Sequence, residues 1–394
     1  MDFETVIIGA GAAGMMCAAH SGGRTLVIDH AKAAGEKIRI SGGGRCNFTN
    51  LGVNSACFIS KNPHFCKSAL KRYTQWDFLD LVARYEIDWH EKTLGQLFCD
   101  GSAKQIVAML LREMELAGAD LWLQTAVKSV RFDGQKYQLS VEREGSLVAV
   151  SAQNLVLASG GKSIPKMGAS GFAYDIAAQF GMDIIETRPA LVPLTFSDQR
   201  YAPISGVSCP SRVTANGVGF DEATLFTHRG LSGPAILQAS SYWRDGEAVV
   251  LNIDPEDALF AALRAARQEQ GKRDITTILN GHFPARLVQH LADEMKITGR
   301  IGDQSDVALR ALCNHLQNWE QVPTGSEGYR TAEVTLGGID TDGLSSKTME
   351  AKAQKGLYVI GEAMDVTGWL GGYNFQWAWS SGWAAGTAIA STLN

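Results

Sequence analysis

The sequence predicts an α/β protein in which a nucleotide-binding domain is interrupted by an insertion with a β half and a helical half. Residues 5–29 form a complete strand, turn, helix and strand unit with the glycine spacing of a dinucleotide fingerprint. Two later strands, within 155–161 and 357–362, also end in glycine, as expected where a ligand lies at the carboxyl ends of parallel strands. Between them, residues 191–254 alternate like strands and residues 256–320 have helical periodicity.

Each glycine of the fingerprint has its own predicted role. A buried strand over residues 6–8 leads into Gly9, which makes the tight turn. Gly11 lacks a Cβ, so the backbone can approach a pyrophosphate, and Gly14 lets the following helix pack closely on the strand. The unpaired N–H groups and the positive dipole end of that helix would then face the phosphates. Only this strand carries the phosphate fingerprint, so we expect one dinucleotide.

Asp29 ends the second strand, where an acid accepts hydrogen bonds from ribose hydroxyls. The distance along the chain from Gly14 to Asp29 is short by about one helical turn, which is about 3.6 residues. Removing a whole turn keeps the buried face of the helix in phase. We therefore predict a shortened but intact unit.

The composition limits the possible classes of protein. A chain of 394 residues predicts two or three domains, and 45% apolar with 20% charged residues is typical of a globular protein. The net charge of −5 argues against a nucleic-acid or anionic-membrane partner. Seven cysteines without a CxxC pair favour a reducing, cytoplasmic location. We find no bilayer-spanning apolar run and no metal-ligand spacing.

The domain boundaries follow from changes in the sequence pattern. We predict that residues 1–190 and 330–394 together form the nucleotide-binding domain. The insertion would comprise a β domain at 191–255 and a helical segment at 256–329. A helix is predicted over 103–117. The sequence pattern contains no signal for the oligomeric state.

A first glycine-rich segment covers Lys37–Asn50 and reads KIRISGGGRCNFTN. Three consecutive glycines cannot fill a core, but they suit a loop whose backbone passes over a flat ligand or a phosphate. Ser41, Arg45 and Asn47 supply polar groups around it. A flexible surface loop is the alternative, and the position just after the ribose-binding acid favours the cofactor role. Cys46 lacks a CxxC partner, so we expect an inert buried thiol.

A second glycine-rich segment, Gly361–Gln376, combines a strand end, a polar loop and a helix start. This arrangement directs N–H groups and a helix dipole at one point. A reduced flavin ring carries negative charge that such a helix start would stabilise. Asp365 could bind a ribityl chain or cap a turn. Trp369, in the loop, could line a pocket, whereas we expect the tryptophans of the following helix to pack in the core.

The insertion contains a polar stretch between apolar flanks at Leu225–Leu237. We interpret it as a loop that leads into a helix with Ser232 as its N-cap and Pro234 near its first turn. His228 could donate a proton or bind substrate, or it could be structural. Arg229 could bind a substrate carboxylate, or it could pair with an acid such as Glu222.

Together these segments resemble the BaiN/YhiN-type FAD flavoproteins, a group that includes the aminoacetone-oxidase-type enzymes. The segments Arg45–Asn50 and Gly371–Trp377 are specific to that group. The resemblance implies a glutathione-reductase-type, Rossmann-like FAD-binding domain with an inserted β-barrel-like plus helical domain. It also implies that FAD contacts the fingerprint, both glycine-rich segments and two adenine-side positions. The residues so predicted are Gly9, Gly11, Ala12, Ala13, Gly14, Asp29, Lys37, Ser41, Gly42, Gly43, Gly44, Arg45, Cys46, Asn47, Val127, Ala158, Gly160, Gly361, Glu362, Asp365, Gly372, Tyr373, Asn374, Phe375 and Gln376.

From this resemblance we expect an FAD-dependent oxidoreductase that transfers a hydride between flavin N5 and a small organic substrate. The substrate would bind between the flavin and the insertion, and NAD(P)H could serve as a transient donor. Two alternatives remain open. One is a non-catalytic flavin-binding redox protein, and the other is a tRNA-modifying flavoprotein, which the net charge and the absence of a basic helix disfavour. No acid–base pair stands out beyond the candidates His228 and Arg229.

Overall fold

A computed structural model describes residues 1–393, and it divides into two compact units. We call the first the nucleotide unit: it comprises Met1–Arg188 and the chain from Val334 onward. The second, Pro189–Glu333, is the inserted unit.

The secondary structure is numbered here in chain order through both units. The strands are β1 (Asp2–Ile8), β2 (Thr25–Ile28), β3 (Asn47–Asn50), β4 (Phe58–Ile59), β5 (Trp89–Glu91), β6 (Gln96–Cys99), β7 (Asp120–Trp122), β8 (Thr125–Phe132), β9 (Tyr137–Arg143), β10 (Ser146–Leu157), β11 (Ile184–Ala190), β12 (Leu194–Thr195), β13 (Ser208–Ala215), β14 (Val218–Thr227), β15 (Gly230–Ser232), β16 (Val249–Asn252), β17 (Trp319–Gln321), β18 (Gly325–Ser326), β19 (Val334–Ile339), β20 (Leu357–Val359) and β21 (Thr367–Gly368). The helices are α1 (Ala12–Ala18), α2 (Glu36–Ile40), α3 (Lys67–Arg72), α4 (Gln75–Arg84), α5 (Ala103–Leu116), α6 (Phe172–Gln179), α7 (Pro234–Ser240), α8 (Leu259–Glu269), α9 (Ile275–Leu279), α10 (Ala285–Met295), α11 (Asp306–Gln317) and α12 (Tyr373–Leu393).

The nucleotide unit is built on a parallel sheet in the order β7-β2-β1-β10-β20. The central strand β1 pairs on both sides, and Val6, Ile7 and Ile8 are buried, as in parallel sheets covered on both faces. All five strands end at one edge. The fingerprint turn follows β1 at this edge, and the segment that begins at Gly361 follows β20 there.

The strand β10 is longer than the pattern predicts. The sequence indicates two separate strands, Leu147–Ser151 and Leu155–Ala158, but one continuous strand covers Ser146–Leu157. Its first half pairs antiparallel with β9, which pairs with β8, and its second half pairs parallel with β1. Gln153 and Asn154 lie within this continuous strand. Because their side chains are polar, the sequence pattern indicates a break at this point.

Two helices of the nucleotide unit pack backbone against backbone. The helix α1 has only seven residues, which confirms the shortened fingerprint helix. A Cβ at Gly382 of α12 would lie 2.5 Å from the carbonyl oxygen of Ala13, and one at Gly386 would lie 2.6 Å from that of Cys17. Both glycines are therefore required for the contact of α12 with α1.

The inserted unit is an antiparallel sheet with a helical layer. The strand order is β17-β16-β13-β14-β15-β12-β18, and α7 packs on β13 and β14. The helices α8 to α11 end at Gln317, and β17 and β18 then return to the sheet. The segment 256–329 is thus not helical throughout. Tyr201, Phe226 and Trp319 form an aromatic cluster in its core.

None of the helices in residues 1–393 is both long enough and apolar enough to cross a lipid bilayer.

The backbone contact between α12 and α1 gives a stability prediction. Gly386→Ala should lower the free energy of unfolding by about 1–3 kcal/mol, because the added methyl group forces the two helices apart. Urea unfolding followed by circular dichroism measures this change. Ser391→Ala, at an exposed position of the same helix, is the control and should not lower stability. Equal stabilities of Gly386→Ala and the wild type would show that the contact is not tight.

Candidate functional site

The fingerprint turn leaves space at one glycine only. Gly9 has a φ of +116°, and a Cβ there would overlap the carbonyl oxygen of Ala158. A Cβ at Gly14 would overlap the carbonyl oxygen of Gly9. At Gly11, in contrast, a Cβ would meet no atom within 4 Å. The open space therefore lies in front of Gly11, where a pyrophosphate fits against bare backbone.

The Asp29 carboxylate is held by two backbone N–H groups, one from the fingerprint turn and one from the residues that follow β2. Its Oδ2 accepts a hydrogen bond from the Ala10 N–H at 2.7 Å, and its Oδ1 accepts one from the Ala31 N–H at 2.9 Å. Each carboxylate oxygen can accept a further hydrogen bond. The geometry therefore suits a carboxylate that also receives ribose hydroxyls.

A polar network surrounds Glu362 at the carboxyl edge of the sheet. Lys37 Nζ donates to Glu362 Oε2 at 2.9 Å and to Ser163 Oγ at 2.7 Å. Ser163 Oγ and the Thr335 N–H both donate to Glu362 Oε1, at 2.8 and 2.9 Å. Burial alone would raise the pKa of Glu362, but the Lys37 charge and these hydrogen bonds lower it below its ordinary value.

This network joins α2, the loop after β10, the start of β19 and the residues after β20. Lys37 and Glu362 were predicted as site residues, whereas Ser163 and Thr335 were missed. Ser163 follows the glycine-ended strand β10, and that position was the only signal in the sequence. Thr335 also accepts from the Lys162 N–H at 2.8 Å, so it fixes the loop after β10.

The first glycine-rich segment forms a closed turn with one open face. Gly42, Gly43 and Gly44 all have positive φ, and the Ser41 carbonyl oxygen accepts from the Cys46 N–H at 3.0 Å. A Cβ at Gly42 would lie 2.7 Å from the Phe98 ring, but one at Gly43 would meet nothing within 4 Å. The backbone at Gly43 is thus accessible to a flat ligand.

Cys46 is buried directly behind this turn. Burial raises the pKa of its thiol, so the prediction of an inert side chain is supported. Arg45 is exposed, and Asn47 is partly buried at the start of β3. Ser41 Oγ donates to the Ile38 carbonyl oxygen at 2.8 Å and so stabilises the end of α2.

The second glycine-rich segment packs directly on β3, which is the last part of the first segment. Asn50 Nδ2 donates to the Gly371 carbonyl oxygen at 2.9 Å, and a Cβ at Gly372 would overlap the Thr49 carbonyl oxygen. Asn374 holds the loop through Oδ1, which accepts from the Gly368 N–H at 2.8 Å. The fold therefore brings both predicted flavin loops together at the start of α12.

Several predicted residues of this segment are tied into the protein itself. Gln376 is buried, accepts from Thr49 Oγ1 at 2.7 Å and donates to Ser380 Oγ at 3.1 Å. Asp365 Oδ2 accepts from the Lys61 N–H at 2.7 Å, which matches the capping alternative, and its burial raises its pKa. Phe375 is partly buried and stacks on a helix tryptophan.

The remaining predicted residues lie around these loops. Tyr373 and Gly361 are buried, and Val127 is partly buried in β8. Ala158 packs on the fingerprint turn, and a Cβ at Gly160 would lie 3.7 Å from Glu362 Oε2. As predicted, the helix residues Trp377 and Trp379 are buried.

In the inserted unit, the prediction that Ser232 caps the helix of Leu225–Leu237 is wrong. Ser232 ends the strand β15, and Gly233, with a φ of +87°, precedes the helix α7 instead. Glycine is required there because a Cβ would lie 2.6 Å from the Ala223 carbonyl oxygen. Arg229 lies 3.8 Å from Glu327, so it pairs with an acid as one alternative proposed, although that acid is not Glu222. His228 is exposed in the hairpin turn.

The family model of the HI0933-like protein Rossmann domain matches residues 3–388. The chain belongs to this family. Among solved structures, the 3-ketosteroid-Δ4-(5α)-dehydrogenase of Rhodococcus jostii RHA1 has a TM-score of 0.55 at 15% identity, over 99% of this chain and 97% of that chain. At 15% identity, the similarity to this solved structure shows the fold alone.

The family confirms three predictions made from the sequence. The resemblance to FAD flavoproteins, the Rossmann-type α/β fold class and FAD as the cofactor are all confirmed. The open space at Gly11 and the two converging glycine-rich loops fit this cofactor.

Two relatives overturn the predicted substrate. A protein of Escherichia coli (strain K12) named ribosomal RNA dihydrouridine synthase is 51% identical over 97% of this chain and 96% of its own. A protein of Haemophilus influenzae (strain ATCC 51907 / DSM 11121 / KW20 / Rd) with the same name is 46% identical over 98% of each chain. The prediction of a small organic substrate is therefore wrong, as is the expectation of no nucleic-acid partner. A net charge averages over the whole surface and cannot exclude a local basic patch.

The fingerprint glycines give a prediction that separates binding from folding. Gly11→Ala should leave the stability of the apoprotein unchanged, because its Cβ points into open space. The methyl group would weaken the binding of the pyrophosphate by about 1–3 kcal/mol. This change corresponds to a Kd for FAD that is about 5- to 150-fold higher. Gly14→Ala is the matched variant and should destabilise the apoprotein itself. Flavin fluorescence titration and urea unfolding measure the two effects, and a Gly11→Ala protein with normal FAD affinity would contradict the assignment.

The Lys37–Glu362 pair predicts a pH dependence of stability. The folded state holds the pKa of Glu362 below its ordinary value of 4.5, so the pair stabilises the fold above that pH. This contribution is lost as the pH falls through the lowered pKa. Glu362→Gln should therefore be less stable at pH 7 and should lose less stability on acidification. Urea midpoints from neutral to acidic pH test this, with Glu115→Gln, in an exposed ion pair, as the control. Parallel curves for Glu362→Gln and the wild type would refute the prediction.

Proposed function

We propose that the protein is a flavoenzyme that reduces uridine to dihydrouridine in ribosomal RNA. The observation that carries this proposal is the 51% identity over nearly the full length of both chains to a relative named for that reaction. The second relative, at 46% identity, supports the same function. Of the alternatives raised by the sequence, the RNA-modifying flavoprotein is favoured, with ribosomal RNA in place of tRNA.

The reaction is a two-electron reduction of one double bond. Dihydrouridine differs from uridine by two hydrogens, one on C5 and one on C6 of the base. A hydride and a proton are therefore added, and NAD(P)H supplies the hydride as the overall reductant while it becomes NAD(P)⁺. Bound FAD supplies the hydride-transfer chemistry between the nicotinamide and the base.

The residues of the nucleotide unit would hold the cofactor in two parts. The fingerprint with Gly11 and Asp29 would bind the ADP portion, since it offers bare backbone and an oriented carboxylate. The turn at Gly43 and the loop before α12 would flank the flavin ring. The N-terminal N–H groups of α12 would favour negative charge on that ring, because a helix start carries a partial positive charge.

Lys37 and Glu362 would form a fixed ion pair near the same loops. The ammonium group of Lys37 is held by Glu362 and Ser163 at 2.9 and 2.7 Å, so the side chain does not move freely. Because Glu362 compensates its charge, Lys37 would position the surrounding loops and would not act as a free cation beside the flavin. The buried free thiols are consistent with work in the reducing cytoplasm.

Incubation with unmodified RNA tests the proposed function. The FAD-loaded protein, NADPH or NADH, and ribosomal RNA transcribed in vitro should yield dihydrouridine, which mass spectrometry of the digested nucleosides detects. Gly11→Ala should form much less at limiting FAD, and omission of NAD(P)H should abolish the product. Free uridine is the substrate control. Tightly bound FAD with no dihydrouridine in any ribosomal RNA would instead favour a non-catalytic flavin protein.

A further inference from the structure

The segment 61–72 differs in charge from the rest of the chain. It carries five basic side chains and no carboxylate, although the whole protein has a net charge of −5. Its second half forms the helix α3, and the side chain of Arg72 reaches the backbone of Lys347. We call this surface the basic face; its members are Lys61, His64, Lys67, Lys71, Arg72 and Lys347.

The helix α3 presents its charges to solvent because its other side is packed. Ala69 and Leu70 are buried, and α3 lies against α12. Lys67 and Lys71, which are four residues apart and project on the same side of the helix, are exposed. The expectation that the chain has no basic helix is thus wrong.

Most of this positive charge is available to a partner. Lys61 pairs with Asp340 at 2.7 Å and lies 3.7 Å from Asp342, so its charge is largely compensated. Within residues 1–393, no carboxylate lies within ion-pair distance of Lys67, Lys71 or Lys347. Basic side chains without a carboxylate partner are the groups that neutralise phosphates at nucleic-acid interfaces.

The basic face begins at the loop that leads into α12. The strand β4 pairs with β21, and the Trp369 N–H donates to the Cys57 carbonyl oxygen at 3.0 Å. The Lys61 N–H in turn donates to Asp365. A strand of RNA bound to α3 would therefore pass close to the proposed flavin loops of the same unit.

We propose that the basic face binds the phosphodiester backbone of the RNA substrate and so directs a uridine toward the glycine-rich loops. This inference rests on the proposed function. Phosphate contacts position an RNA strand without reading its sequence, so the face would supply affinity and not the choice of base. Lys67, Lys71 and Lys347 would contact phosphates, and Arg72 is already fixed over the Trp383 ring, 5.4 Å from its centroid.

The test compares two double variants of the FAD-loaded protein. Lys67→Gln/Lys71→Gln removes two charges of the basic face. Lys104→Gln/Lys355→Gln removes two exposed lysines elsewhere in the nucleotide unit. Binding of ribosomal RNA transcribed in vitro is measured by filter binding over a range of salt concentrations. The first variant should bind about tenfold more weakly, and its plot of log K against log salt should be shallower by about 1.4, which is the loss of two single-strand phosphate contacts.

The controls keep this inference separate from the proposed function. Unchanged FAD absorbance and urea midpoint in both variants show that the fold is intact. If the wild type forms dihydrouridine and both variants bind RNA equally well, the basic face is not the binding surface although the function stands. If the wild type neither binds nor reduces ribosomal RNA, the proposed function itself fails. If Lys67→Gln/Lys71→Gln loses binding to phosphatidylglycerol vesicles but binds RNA as the wild type does, the basic face is a membrane-binding surface and the inference is overturned.

Discussion

The nucleotide unit depends on close contact between backbones that no Cβ atom separates. At Gly14 the first helix touches the turn at Gly9, and at Gly382 and Gly386 the last helix touches the first. Gly372 brings the loop before α12 against β3 in the same way. Hydrogen bonds then fix the loops that these contacts bring together. The arrangement of the cofactor loops is therefore a consequence of where side chains are missing, and the polar network around Glu362 stabilises it.

The parts of the fold that sequence reasoning predicted are those set by local spacing. The fingerprint glycines, the shortened α1 and the helix α5 follow from short-range patterns that leave few alternatives. The continuity of β10 could not be predicted, because polar residues in its middle resemble a loop until the neighbouring strands are known. The position of Gly233 before α7 depends on an approach to Ala223 in another strand, which no local pattern contains.

The same distinction applies to the candidate site. Lys37 and Glu362 could be identified singly from their segments, but the pair joins residues 325 positions apart. Ser163 follows β10, whereas Thr335 lies at the start of β19 in a separate sheet, so only the fold brings the two residues to Glu362. The expectation of no nucleic-acid partner was wrong for a different reason. The total charge of a protein sums its acidic and basic regions, whereas an RNA strand contacts only one of them. The acid-free run at 61–72 was visible in the sequence but was hidden by that sum.

The insertion divides the nucleotide unit into two stretches of chain, and this has a consequence for biosynthesis. When a ribosome has added residue 330, the parallel sheet still lacks β20 and the backbone of α1 is not yet covered by α12. Glu362, the partner of Lys37, has also not been made. A polypeptide at that stage has a fingerprint turn but no second loop to enclose a flavin. On the proposed placement of the flavin, the cofactor could be enclosed only after the last part of the chain has emerged.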